Sequence, residues 1–248
     1  MLLGLLFTVV AFFYASVGFG GGSSYLALLV LWGVDYTIVP VIALICNIVV
    51  VSGNGIHYVR AGYLNWRLLL PPTITSVPFA YLGGIIEIEK EHFLFLLCAT
   101  LLVTGIRLLL NYRTYNDSTA SYHPLSLAFG GVIGAILGFL SGVIGIGGGI
   151  FLAPILYNFR AGSPKQIATT ASLFILVNSI AGLMGQLQKN GISMMALEYW
   201  YLPCLVLLGG QLGNFFTIRI IPQRTIALLT ACLVLFVAGR LGWMLLRF

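Results

Sequence analysis

The sequence predicts an all-α integral membrane protein made of two inverted-topology repeats, and three observations predict it. Of 248 residues, 60% are hydrophobic and only 7% charged, with a mean hydropathy of +1.05; about a quarter of a soluble domain is charged. The apolar blocks are long, contain Gly and Pro and lack strict alternation, which favours helices over a β-barrel. The blocks also recur in the same order in the two halves of the chain.

Read between polar punctuation, the apolar segments run over 2–17, 20–32, 37–59, 67–86, 92–112, 124–142, 147–159, 166–188, 196–218 and 225–246. The first, "MLLGLLFTVVAFFYASVGFG", lacks the basic start and small-residue cleavage site of a signal peptide and is read as retained structure. A spanning helix needs about 20 residues. Segments 37–59, 67–86 and 92–112, and their counterparts 166–188, 196–218 and 225–246, reach or approach that length. Segments 2–17 with 20–32, and 124–142 with 147–159, do not reach it comfortably. Each short pair is therefore expected to form a glycine-tipped helical hairpin that enters the membrane partway and turns back.

The repeat boundaries follow from matched stretches. "GFGGGSSYLAL" from Gly18 matches "GIGGGIFLAPI" from Gly145, "RAGYLNW" around Gly62 matches "KNGISMM" around Gly191, and "CATLLVTG" from Cys98 matches "CLVLFVAG" from Cys232. The first repeat covers 1–112, a polar linker 113–123, and the second repeat 124–248. An odd number of segments per repeat inserts the second repeat upside down. Charge agrees. Arg60, Arg67, Arg113, Arg160, Lys165, Arg219 and Arg224 fall on one side, against Lys90, Lys189 and Arg247 on the other. The positive-inside rule places the richer side in the cytoplasm and both termini outside.

Glycines in the clusters Gly20, Gly21, Gly22 and Gly147, Gly148, Gly149 weaken a helix by roughly 1 kcal/mol each relative to alanine. They also admit unusual backbone angles and close approach. A helix starting at either cluster exposes unpaired N–H groups and the positive end of its dipole, which bind anions. Ser23 and Ser24 add hydroxyl donors. Two inverted tips bring both positive ends to one site, a recurrent transporter device. The competing reading is close helix packing through small residues. If the tips hold an anion, alanine at Gly21 or Gly148 is expected to leave the fold nearly intact and obstruct the ligand.

Polar residues inside the segments supply further candidates. Asn47 and His57 lie on one face of segment 37–59, with Asn54 between them, and Thr170 and Asn178 share a face of segment 166–188. Amides and hydroxyls can hold an oxyanion without a buried charge, or can simply join helices by hydrogen bonds. Arg107 and Arg240 sit where snorkelling to the interface is expected. No carboxylate lies deep in a segment, so coupling to a proton or sodium gradient through one is not visible.

Other classes fare worse. The net charge of +6 is spread over segment ends rather than clustered, which argues against nucleic acid. Cys46, Cys98, Cys204 and Cys232 all lie in apolar blocks and are expected to be free thiols, with no metal-ligand spacing. A membrane enzyme would need paired carboxylates, haem-spaced histidines or an HExxH element, none of which occurs. Neither catalytic residues, metal nor cofactor are expected.

The stretch "GVIGIGGGIFLAPIL" followed by "ATTASLFILVNSIAG", with GxGGG near the start of each half, resembles the TauE/SafE family of sulfite exporters. The likeness spans essentially the whole chain and is strongest over 141–191; the first half matches more loosely, with Ala27 where the second copy has Pro154. The resemblance implies a permease exporting sulfite, sulfonates or related small sulfur oxyanions. The expected function is secondary transport by alternating access to a midplane site, in a multi-pass protein of the cell membrane. An anion channel and a carrier of small organic carboxylates stand as alternatives. The expected partners are the anion and the lipid bilayer; the oligomeric state is open, a homodimer included.

The topology is testable by labelling. In a cysteine-free background, Asn65→Cys is expected to resist an impermeant thiol reagent applied to intact cells, and Glu89→Cys to react; the reverse pattern overturns the inverted assignment.

Overall fold

The structure, a computed structural model, describes residues 2–16, 18–111, 126–159, 161–190 and 198–216, with scattered positions between 231 and 243. The linker 113–123, the repeat copy around Gly191, Arg240 and most of segment 225–246 lie outside the described residues. Among the described residues the chain forms helices α1 (Leu2–Ala15), α2 (Gly22–Leu31), α3 (Val39–Arg60), α4 (Trp66–Ile85), α5 (Lys90–Asn111), α6 (Leu127–Ile144), α7 (Gly149–Asn158), α8 (Pro164–Asn190) and α9 (Tyr201–Phe216).

Short polar signals set the ends. Asp35 Oδ1 accepts from the Thr37 N–H at 2.8 Å and its hydroxyl at 2.6 Å, just ahead of α3. These bonds hold the Asp35 carboxyl below the usual carboxylate range. Asn65 caps α4 by accepting from the Arg67 N–H at 3.1 Å, and Ser126 caps α6 by accepting from the Phe129 N–H at 3.3 Å. Gly145, at φ +88°, ends α6 in the left-handed conformation that glycine adopts without strain.

Among the described residues four helices, α3, α4, α6 and α8, are long and apolar enough to cross a membrane. This corrects the expectation for segment 124–142. Ser126 starts it and Gly145 stops it, so α6 runs 18 residues, shifted toward its C-terminal end but no longer than the expected segment, and its length and apolar composition together make it a candidate span. The shortest described helices are α2 and α7, of 10 residues each, about 15 Å long against a hydrocarbon core of roughly 30 Å; α1, of 14 residues, is also shorter than a span. Buried residues occupy every face of α2 from Gly22 to Leu29, so protein rather than lipid surrounds it.

Glycines away from the tips perform the packing role. Along α6, Gly130, Gly134, Gly138 and Gly142 lie against Pro71, Pro72, Ser76 and Ala80 of α4, so close that a side chain on the last three would collide with backbone carbonyl oxygens. Along α9, Gly209 and Gly213 press in the same way on the carbonyls of Thr8 and Phe12 in α1. Both pairs run parallel. By contrast α3 and α8 are antiparallel: Leu44 meets Gly182 at one end of their contact, and Gly55 meets Leu173 at the other. The described members of the two basic sets lie at opposite ends of the bundle. The Lys165 ammonium donates to the Tyr63 hydroxyl at 2.9 Å between Arg60 and Arg67, whereas Lys189 donates to the Ile86 carbonyl at 3.2 Å at the far end.

This packing makes a paired prediction. Gly142→Ala should force α4 from α6 and lower stability by about 1–3 kcal/mol, as overpacking does. Gly131→Ala, whose methyl would sit at an ordinary 3.5 Å from Thr75 Cγ2, should melt at or slightly above the wild-type temperature. Melting curves in detergent for the two variants provide the check.

Candidate functional site

The two glycine clusters are built alike. Gly21 caps α2 at φ +87°, and its carbonyl accepts from the N–H groups of Ser24 and Tyr25, both at 3.0 Å. At the start of α7, Gly148 stands at φ +75° and accepts from Phe151 at 3.1 Å and Leu152 at 3.2 Å. In each case the hydrogen bonds begin three residues past the cap. The N–H groups of Gly22 and Ser23, and of Ile150, belong to first turns where no helical carbonyl is available.

The clusters also meet. Asn47 of α3 donates its amide N–H to the Ile146 carbonyl at 3.0 Å, which ties α3 to the second tip. A Cβ on Gly20 or Gly22 would strike the Asn47 amide, and one on Gly22 would also come within 2.5 Å of the Ile146 oxygen. A Cβ on Gly147 would sit 3.0 Å from both the Asn47 amide nitrogen and the Ser179 hydroxyl. One asparagine thus lies between the ends of two helices drawn from different halves of the chain.

Three hydroxyls without partners border the tips. Tyr25 Oη would lie 3.1 Å from a Cβ on Gly21, Ser179 Oγ borders Gly147, and Ser141 packs by its Cβ on Gly148. Among the described residues none of the three hydroxyl oxygens has a hydrogen-bond partner, and all three residues are buried. The amide oxygens of Asn47, Asn54, Asn178 and Gln186 and the hydroxyl of Thr170 are likewise buried and unpaired. Buried polar groups ordinarily find partners.

These polar residues form a ladder at the α3–α8 contact. Asn47 and Asn54 share one face of α3; Ser172, Ser179 and Gln186 share one face of α8. Because the helices are antiparallel, Asn47 stands level with Ser179, and Asn54 with Ser172. Asn54 donates to the Phe19 carbonyl at 3.3 Å, and the Ser172 hydroxyl donates to the Gly18 carbonyl, so this rung holds the approach to the first tip. Beyond the other end of the ladder, Gln186 and Pro40 line a cavity of about 480 Å³ whose wall includes Tyr36, Glu87, Glu89 and Lys189.

The expected site residues divide. Asn47 and all six glycines come together at the tips. Ser23 and Ser24 are buried there too, but their hydroxyls are engaged with Tyr14 Oη, at 3.4 and 2.9 Å, on the side of α1. Asn178 donates to the Phe174 carbonyl at 2.8 Å, one turn earlier in α8. Thr170 is buried lower on α8, about 13 Å along the axis from Ser179. His57 is exposed in the last turn of α3, so the structure does not bring it to the tips. Ser141, Ser179 and Tyr25 were not among the expected residues; the spacing of 172, 179 and 186 along one face was the available signal for Ser179.

A bundle of membrane-length helices that seals two glycine-started half-helices around a polar centre is the architecture of a multi-pass membrane transporter. The family model for the sulfite exporter TauE/SafE matches residues 3–241, and the chain belongs to that family. It is 28% identical to a probable membrane transporter protein of Sinorhizobium fredii, over 97% of each chain. It is 29% identical to a probable membrane transporter protein of Methanocaldococcus jannaschii, over 77% of this chain and 74% of the relative. No solved structure matches it.

The positive φ angles correct the expectation for alanine at the tips. Gly21 and Gly148 occupy the left-handed region, where a Cβ costs about 1–2 kcal/mol, and Gly20, Gly22, Gly147 and Gly149 have no room for one. Gly21→Ala and Gly148→Ala are therefore each expected to lower stability by about 1–2 kcal/mol, read as a lower melting temperature of the ligand-free protein. An unchanged melting temperature in both would contradict this geometry.

Proposed function

We propose that the chain carries a small sulfur oxyanion, sulfite or a sulfonate, by alternating access to the space between the glycine tips, and that its halves are inverted repeats about that space. The meeting of two helix starts at Asn47 carries the reading. Each start offers N–H groups and a positive dipole end to the same volume, and the unpaired hydroxyls of Tyr25, Ser141 and Ser179 add donors. The family's description supplies the sulfur oxyanion.

Two packing features support the inverted relation. The parallel pair α4–α6 has a counterpart in α9–α1, which is what exchange of the halves produces. The antiparallel contact of α3 with α8, equivalent segments of the two halves, is what a two-fold axis lying across the helices produces. The complete burial of Asn47 and Ser179 favours a carrier over a channel, because a conducting pore would leave them wet.

Sulfite at 100 times its dissociation constant is expected to stabilise purified protein by roughly 2.7 kcal/mol. In liposomes, unlabelled sulfite inside should accelerate uptake of labelled sulfite. Stabilisation by acetate and none by sulfite would move the cargo to carboxylates, and flux that neither saturates nor shows counterflow would make the protein a channel.

A further inference from the structure

Four buried carboxamides share one arrangement. Asn47, Asn54, Asn178 and Gln186 each donate an amide N–H to a backbone carbonyl, of Ile146, Phe19, Phe174 and Gly142 respectively, at 2.8–3.3 Å. Those bonds decide which end of each amide is oxygen, since a flipped amide would set two acceptors face to face. Each amide oxygen is then left without a donor. Such oxygens are acceptors only, and an oxyanion offers them nothing but repulsion.

The conflict is sharpest at Asn47. Its oxygen lies against Gly20 and Gly22, beside the first-turn N–H groups of α2 that would receive an anion. Those N–H groups call for negative charge, while the neighbouring oxygen calls for a hydrogen-bond donor. A metal cation would satisfy the oxygen and face the positive ends of two helices. An anion that bears its own O–H or N–H satisfies both.

Resting on the proposed site, we infer that the transported species is a monoanion carrying a hydrogen-bond donor beside its anionic oxygens, with Asn47 as the residue that reads the donor. The anionic oxygens take the N–H groups of the tips and the rotatable hydroxyls of Ser179 and Tyr25; the donor takes Asn47 Oδ1.

The test compares ethanesulfonate with 2-hydroxyethanesulfonate, equal in charge and close in size, by titration of the purified full-length chain in detergent. The wild type is expected to bind the hydroxylated ligand about tenfold more tightly, the worth of one hydrogen bond to a buried acceptor. Asn47→Leu should bind the two alike. The wild-type comparison decides by itself if that variant does not fold. Equal wild-type affinities, or no binding of the hydroxylated sulfonate, overturn the inference. A preference that persists in Asn47→Leu overturns the assignment to Asn47. Stabilisation by sulfite is measured alongside, so that failure of the donor requirement is told apart from failure of the proposed function.

Discussion

A helix that starts inside a hydrocarbon layer has N–H groups that neither water nor its own carbonyls can reach, and lipid offers no substitute. That constraint governs the centre of this bundle. The starts of α2 and α7 cannot face lipid, so each is enclosed by protein, and α3 and α8 supply the enclosure. The enclosing helices run to 22 and 27 residues, and they place Asn47 and Ser179 on the faces that look toward the tips. The left-handed caps at Gly21 and Gly148 follow from the same requirement, because the chain must reverse into a helix within a space too small for side chains.

Glycine serves two purposes here that its abundance alone does not separate. At the tips it permits positive φ and lets Asn47 lie directly on the backbone. In α6 and α9 it keeps ordinary helical geometry and lets a neighbouring carbonyl sit where a Cβ would be. In water, burying large side chains would hold such helices together; in lipid that driving force is absent between helices, so close backbone contact takes its place.

Much of this was legible in the residues. Apolar block lengths placed α1 to α9 to within a few residues, because polar and glycine punctuation stops helices at places such as Asn65, Ser126 and Gly145. The equivalence of the tips was visible in the repeated glycines. The place where α6 stops was not, since the sequence alone did not say that helix continues through Val143 and Ile144 to Gly145. Side-chain direction was also hidden. Ser23 and Ser24 adjoin the glycines in sequence, yet their hydroxyls are engaged by Tyr14 on α1, a contact that only the packing of α1 on α2 creates. Ser179, remote in sequence, comes to Gly147 because α8 runs antiparallel to α3.

The glycine contacts of α4 with α6 and of α1 with α9 have a mechanical consequence. Each pair joins one helix from each half of the chain, and sliding within a pair would drive carbonyls into neighbouring backbone. The rigid blocks of this molecule are therefore cut differently from its sequence halves: each block is a chimera of both. The polar ladder of α3 and α8 lies outside both glycine-packed pairs, at a further contact between the two halves. The two halves of the sequence make one partition of the chain, and glycine packing makes another across it.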